Sequence, residues 1–192
     1  LMIIAVVLYM TVDVNFANPK FLQFSMKIRA PKLLAMLVAA FAIGAASIIF
    51  QSIINNTIVT PCLLGMNSLY TLLHTAVYFF LGSASFLATN ANAAFIVDLL
   101  LMVVVATFIY GFLFKKTNYN VLYVLLIGTV LSSFFGSIQS TLVRVMDPNE
   151  YDALLTTLVA DFNHINVEVI AFSMILLAAL IIFLWKDLLL LD

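Results

Sequence analysis

Charge is what this chain has least of. Only 9% of its 192 residues are Asp, Glu, Lys or Arg, and the net charge is -1. A soluble domain of this size needs far more charge to cover its surface. No basic tract predicts binding to nucleic acid. The single cysteine, Cys62, excludes a disulfide within these residues and any cysteine-rich metal site.

Apolar residues dominate instead, at 65% of the chain, and the mean hydropathy is +1.20. Most of them form runs of roughly 18–23 residues, the length that a helix needs to cross a membrane. None of the runs alternates as a membrane barrel strand does. The predicted fold class is therefore all-α, a polytopic bundle of about six membrane helices. The spans are Leu1–Val12, Leu33–Phe50, Cys62–Leu81, Ala93–Phe114, Val121–Val143 and Val167–Leu184.

The two ends of the sequence indicate a piece of a larger protein. The first apolar run has about a dozen residues, too few to cross a core of ~30 Å at 1.5 Å per residue. The chain begins at Leu1 rather than at a methionine, and it stops just after an apolar run. We therefore interpret residues 1–192 as one partial transmembrane domain, a fragment of a longer chain.

One further helix is predicted between the fifth and sixth spans. The stretch Asp147-Pro-Asn-Glu150 is typical of a helix start. Asp147 would be the cap, Pro148 the first helical residue and Glu150 the returning acid of a capping box. The helix is expected to run to about Asp161, which at about 14 residues is too short to cross. It should lie at the membrane surface or re-enter the membrane partway.

A polar segment separates the second and third spans, and we refer to residues 51–65 as the hinge segment. Asparagines and threonines gather there because a backbone that leaves its helix needs other hydrogen-bond partners. Pro61 and Gly65 are predicted to bend the chain. The residues that define this motif are Gln51, Asn55, Asn56, Pro61 and Gly65.

The sequence carries none of the common catalytic motifs. It has no nucleotide-binding loop, no nucleophile elbow and no histidines at metal-ligand spacing. We predict no catalytic residue, no metal site and no cofactor. If the protein uses ATP, another chain must bind it.

Two sets of polar residues inside the spans leave alternatives open. Ser132, Ser133, Gly136 and Gln139 follow one another along the fifth span, where they could permit close helix contact or line a translocation path. Asp98 and His74 support a second hypothesis, a proton- or ion-coupled secondary transporter in which they are the titrating groups.

Several short motifs resemble, in order, the permease subunit of iron-chelate and cobalamin ABC importers. They are Arg29-Ala-Pro-Lys32, an Ala/Gly-rich span ending in Gln51, Asn55-Asn56, Thr60-Pro61, Leu64-Gly65, the Gly128–Ser133 region, the Asp147-Pro148 turn and Trp185. Lys32 stands where the family typically has arginine, and Thr57 stands in place of the usual proline. The hinge segment is most similar to the branch that serves ferric siderophores.

The resemblance implies a function, a location and a set of partners. The chain would be the N-terminal half or more of a longer multi-pass permease of the bacterial cytoplasmic membrane that imports a ferric siderophore. The hinge segment would gate the inner end of its path. It would pair with a second permease subunit and with cytoplasmic ABC ATPase subunits. A siderophore-binding lipoprotein would dock from outside on Arg29 and Lys32, although counting lysines and arginines alone would place these two residues in the cytoplasm. No partner beyond these and membrane lipid is implied.

Overall fold

The computed structural model describes residues 2–12, 14, 18–118, 120–159, 161–162 and 165–189. The described residues are overwhelmingly helical, so the all-α class predicted from the sequence is confirmed. Leu1, where the first apolar run was expected to begin, lies outside the described residues. The helices are α1 (Met2–Thr11), α2 (Pro19–Ile54), α3 (Met66–Leu81), α4 (Phe86–Thr89), α5 (Ala91–Lys116), α6 (Val121–Val145), α7 (Pro148–Leu158), α8 (Val167–Phe183) and α9 (Trp185–Leu188), with a 3₁₀ helix at Pro61–Leu64.

Three of these helices are both long and apolar enough to cross a membrane. They are α2 with 36 residues, α5 with 26 and α6 with 25. α8 is a shorter apolar helix of 17 residues. α3 has 16 residues because the chain from Pro61 to Leu64 is a 3₁₀ helix, whereas the sequence predicted one α-helix from Cys62.

α2 differs most from its predicted extent. The sequence indicated a span from Leu33, with Lys20, Lys27, Arg29 and Lys32 in a preceding loop; all four instead lie within α2. The helix continues through Pro31, whose ring fixes a helix-compatible φ and removes one backbone hydrogen bond. An apolar run marks only the part of a helix that meets lipid, so polar turns can extend it.

α5, α6 and α7 begin at side-chain caps that the sequence supplies. The Asn90 side chain accepts hydrogen bonds from the backbone N–H groups of Asn92 and Ala93 at the start of α5. Asn120 caps α6 in the same way. Asp147 caps α7 as predicted, accepting from the N–H of Asn149. Such caps satisfy backbone donors that the helix itself leaves without partners.

The chain divides into two compact units, which are described separately. The first contains residues 1–44 and 161–180, and the second contains residues 45–160 and 181–192. In the second unit α3 packs against α5, α6 and α7. Its main core lies where the 3₁₀ helix meets α3, α5 and α6, and consists of Leu64, Leu69, Tyr110, Leu113, Val124 and Phe135. The hinge segment is therefore built into the best-packed part of this unit.

Candidate functional site

The hinge segment begins with a defined helix end. Asn55 adopts a left-handed conformation, with φ of 53°. The N–H of Asn56 donates to the carbonyl of Gln51 at 3.0 Å, and the N–H of Asn55 donates to the carbonyl of Ser52 at 3.2 Å. This pair of bonds is the Schellman arrangement, which satisfies the last carbonyls of a helix and favours glycine or asparagine at the left-handed position. Gln51, Asn55 and Asn56 thus terminate α2.

The second half of the hinge segment reverses the backbone again. Pro61 starts the 3₁₀ helix, where its missing N–H costs nothing. The N–H of Gly65 donates to the carbonyl of Cys62 at 3.1 Å. Gly65 has φ of +83° and joins the 3₁₀ helix to α3. Glycine alone adopts this backbone conformation without steric cost.

Neighbouring helices hold the 3₁₀ helix on two sides. A Cβ on Gly65 would lie 2.8 Å from Cα of Ser132, and a Cβ on Gly128 would lie 2.9 Å from Cα of Leu64. From α5, the buried Tyr110 hydroxyl donates to the carbonyl of Leu64 at 2.7 Å. α6 therefore touches the backbone of the hinge segment directly, and α5 binds it by a hydrogen bond.

The four path candidates on α6 lie in different surroundings. Ser132 packs under Gly65, and its hydroxyl is 2.8 Å from the hydroxyl of Ser68 on α3. Ser133 is exposed and donates to the carbonyl of Thr129 within its own helix. Gly136 has open space where a Cβ would lie, and Gln139 is half-buried. Ser132 thus contributes to helix packing, and the use of all four residues as a path stays a prediction.

Arg29 makes local contacts in the first unit. One guanidinium nitrogen donates to the carbonyls of Tyr9 at 2.7 Å and Val12 at 2.6 Å, and the guanidinium lies 5.8 Å from the centre of the Tyr9 ring. A cation suits this position because the last carbonyls of α1 have no partner within the helix. Arg29 and Lys32 share a pocket of about 520 Å³ with Leu8, Tyr9, Val12 and Ile28. The docking role expected from the resemblance stays a prediction.

The structure joins the two ionisable residues of the alternative hypothesis. The Nδ1 of His74 on α3 lies 2.6 Å from a carboxylate oxygen of Asp98 on α5. The Nε2 of the same ring lies 2.9 Å from the hydroxyl of Thr157 on α7. The side chains of His74 and Asp98 are 5% and 12% exposed. Three helices thus meet at one imidazole.

The N-terminal end of α7 is also held, by a contact with the segment just after α3. The Glu150 carboxylate accepts a hydrogen bond from the backbone N–H of Ser83, just after α3. The capping box predicted for Glu150 was wrong in this respect, because the carboxylate turns outward to an N–H group on another segment. Between the two anchors, Leu154 is fully buried against Tyr78 and Met146. α7 also ends at Leu158, before the predicted Asp161.

The sequence indicated some residues of the site but not the distant residues that they contact. The sequence already indicated His74 and Asp98 as candidate titrating groups within apolar spans. Nothing in the spacing marked Thr157 or Tyr110, since each matters only through a contact with a distant segment. Among the described residues, no group of three or more His, Cys, Asp or Glu side chains could hold a metal ion.

The fold defines a class of protein: an all-α bundle with several helices long and apolar enough to cross a membrane. The chain belongs to the FecCD transport family, whose model matches residues 1–191. This confirms the family resemblance drawn from the motifs. Its family and apolar helices also confirm the expected location, the bacterial plasma membrane.

Two curated proteins are similar to this chain. The chain is 34% identical over 164 residues to the petrobactin import system permease protein YclO of Bacillus subtilis (strain 168), covering 85% of this chain and 52% of the relative. It is 31% identical over 168 residues to the petrobactin import system permease protein FatC of Bacillus anthracis, covering 86% and 47%. The chain thus spans about half the length of these relatives.

A solved structure shares the fold. It is an ABC transporter assigned to the metal-chelate type, in an inward-facing conformation. The two structures superpose with a TM-score of 0.64 over 99% of this chain and 61% of the other, at 21% sequence identity.

Proposed function

We propose that this chain is part of the membrane-spanning permease of an ABC importer that carries a ferric siderophore across the cytoplasmic membrane. The observation that carries the proposal is the family match over residues 1–191, together with two relatives named as petrobactin import permeases. The chelator already saturates the metal, so the permease needs no iron ligands of its own. Its task is to shape and gate a path.

The proposal includes three partners. A second permease subunit encloses the path together with this one, and cytoplasmic ATPase subunits drive the change of access. A siderophore-binding lipoprotein delivers the iron chelate from outside. The alternative, a secondary transporter driven through Asp98 and His74, has less support. The relatives are named as import permeases, and the solved structure with the same fold is an ABC transporter. The two side chains also bond to each other and to α7.

Reconstituted transport tests the energy source. The full permease, its ATPase and its binding protein are placed in proteoliposomes loaded with ATP, and uptake of a ferric siderophore is followed. We expect uptake to need ATP, to stop with vanadate and to continue with an uncoupler present. Vesicles containing a hydrolysis-deficient ATPase are the control. Uptake that stops with the uncoupler alone would refute the proposal in favour of the secondary transporter.

The hinge segment is proposed as the part that gates the path. Its bonded geometry supports this role, because Tyr110 and Gly128 fix where the bend at Gly65 lies. Changing Tyr110 to phenylalanine leaves the Leu64 carbonyl without that donor. An interhelical hydrogen bond in a membrane protein contributes about 0.6–2 kcal/mol. We expect normal insertion with an uptake rate reduced about threefold or more, measured as initial velocity.

The matched control for this change is Tyr123→Phe. Tyr123 lies on α6, and its side chain is exposed. Uptake by the Tyr123 variant should equal that of the wild type. If the Tyr110 variant also transports at the normal rate, the bonded hinge segment has no part in gating.

Arg29 and Lys32 are proposed to form the docking surface for the binding protein. Arg29 also holds the end of α1, so reversing its charge would disturb local structure. Lys32→Glu reverses the other charge of the pair. We expect binding-protein association to slow about tenfold at low salt and to lose most of its salt dependence, because complementary charges steer association.

Association rates by surface plasmon resonance on permease in nanodiscs measure this effect. Lys27→Glu, an exposed position on the same helix, is the control. Equal rates for the two variants would contradict a docking role for Lys32.

A further inference from the structure

The contacts of the Thr157 hydroxyl place a constraint on the protons around it. This hydroxyl lies 2.9 Å from Nε2 of His74 and 3.0 Å from the carbonyl of Leu154, to which it can donate. It has one hydrogen, and the Leu154 carbonyl can only accept. For both short contacts to be hydrogen bonds, Thr157 must donate to Leu154 and accept from His74. Nε2 of His74 must therefore carry a hydrogen.

The other ring nitrogen completes the argument. Nδ1 of His74 lies 2.6 Å from a carboxylate oxygen of Asp98. If Nε2 carries a hydrogen and Asp98 is ionised, Nδ1 must also carry one, because two acceptors at this distance would repel. The alternative is a neutral imidazole beside a protonated Asp98. In both cases the pair holds one proton more than an ordinary neutral histidine beside a carboxylate.

We propose that Asp98 and His74 share this additional proton and that His74 thereby positions α7, through an N–H that donates to Thr157. Loss of the proton would leave Nε2 as an acceptor. The Thr157 hydroxyl would then turn to donate to the ring, and its bond within α7 would be given up. The charge state of a buried pair on α3 and α5 therefore decides how the C-terminal end of α7 is held.

The residues around His74 are consistent with a fixed orientation of its imidazole ring. Tyr70 stacks on His74 with ring centres 5.8 Å apart, and Tyr78 lies on it at 5.1 Å. These two phenols and Asp98 are the titratable groups that contact the imidazole among the described residues. Of the titratable groups on the other packed helices, Tyr110 is bonded to Leu64 and Glu150 is bonded to Ser83. Tyr151 is half-buried, and the exposed groups are Lys115, Lys116, Tyr123, Arg144 and Asp152.

α7 is the helix whose position this contact controls. Its first turn is fixed by Glu150 at Ser83, and its middle is fixed by buried Leu154. Thr157 is the polar anchor of the last turn. The proton-sharing anchor itself does not depend on what is transported.

Nitrogen NMR of the full permease in nanodiscs tests the protonation state directly. Histidine is labelled with ¹⁵N, and the His74 signals are assigned by difference from the His74→Gln protein. We expect hydrogens on Nε2 and Nδ1 in the wild type at neutral pH, or an Nε2 hydrogen beside a protonated carboxyl. Asp98→Asn should shift the spectrum to an ordinary neutral ring. An Nε2 without hydrogen in the wild type would overturn the proposal.

Hydrogen exchange tests the positioning of α7 independently of transport. Thr157→Val should raise exchange of the last-turn amides of α7 about tenfold, since a hydrogen bond to a charged group is lost. Thr157→Ser should restore the wild-type rate. The matched control is Thr156→Val, whose hydroxyl bonds only the carbonyl of Ala153 among the contacts described. Equal exchange in the Thr156 and Thr157 valine variants would refute the positioning role, and a Thr157→Val protein that failed to fold would leave the NMR result to decide.

Discussion

Replacing Gly128 with alanine should destabilise the protein, whereas the same replacement at Gly136 should stabilise it. Both glycines lie on α6. A Cβ at position 128 would lie 2.9 Å from both Cα and Cδ2 of Leu64, while a Cβ at position 136 would meet nothing within 4 Å. Alanine in a helix is favoured over glycine by about 0.5–1 kcal/mol. Overpacking against backbone costs about 1–3 kcal/mol.

The two substitutions should change the stability of the protein in opposite directions. Thermal unfolding in detergent should give a lower midpoint for Gly128→Ala and an equal or higher midpoint for Gly136→Ala. Two variants with the same midpoint would show that α6 does not approach the hinge segment as closely as described.

Truncating Leu154 to alanine should detach α7 from the rest of its unit. Leu154 is 0% exposed and packs with Tyr78 and Met146. Deleting a buried leucine side chain costs about 2–5 kcal/mol, because its contacts are lost and a cavity remains. α7 has only 11 residues and cannot hold its shape alone, since isolated helices of this length are marginal. We expect α7 to become sensitive to limited proteolysis while the α3–α6 core stays folded.

The adjacent Leu155 supplies the control for that change. Leu155 is 37% exposed, so Leu155→Ala removes the same atoms from a site with fewer contacts. Its cleavage rate should stay within about twofold of the wild type. Equal cleavage rates in the two variants would contradict the role of the buried Leu154 side chain in holding α7.

The hinge segment was predictable because its signals are local. Asn55, Pro61 and Gly65 each favour a particular backbone conformation through their own covalent structure. Their positions in the structure follow that chemistry closely. The caps at Asn90 and Asp147 are local in the same way.

Contacts between distant segments could not be read from spacing. Glu150 matched a capping box, yet its carboxylate binds the N–H of Ser83, which lies far away in sequence. Arg29 was expected in an exposed loop, but α2 extends around it and brings it to the carbonyls at the end of α1. In both cases the side-chain chemistry was anticipated and its partner was not, because only the packing of helices decides which donor and acceptor meet.

The bond from Tyr110 to Leu64 limits how a gate made from the hinge segment can move. Flexing at the 3₁₀ helix would break that bond and separate two backbones that touch at Gly128. Displacing α3, α5 and α6 together would preserve both contacts. The bend at Gly65 is therefore rigid. A change of access would move α3, α5 and α6 together as one rigid body instead of bending the chain at the 3₁₀ helix.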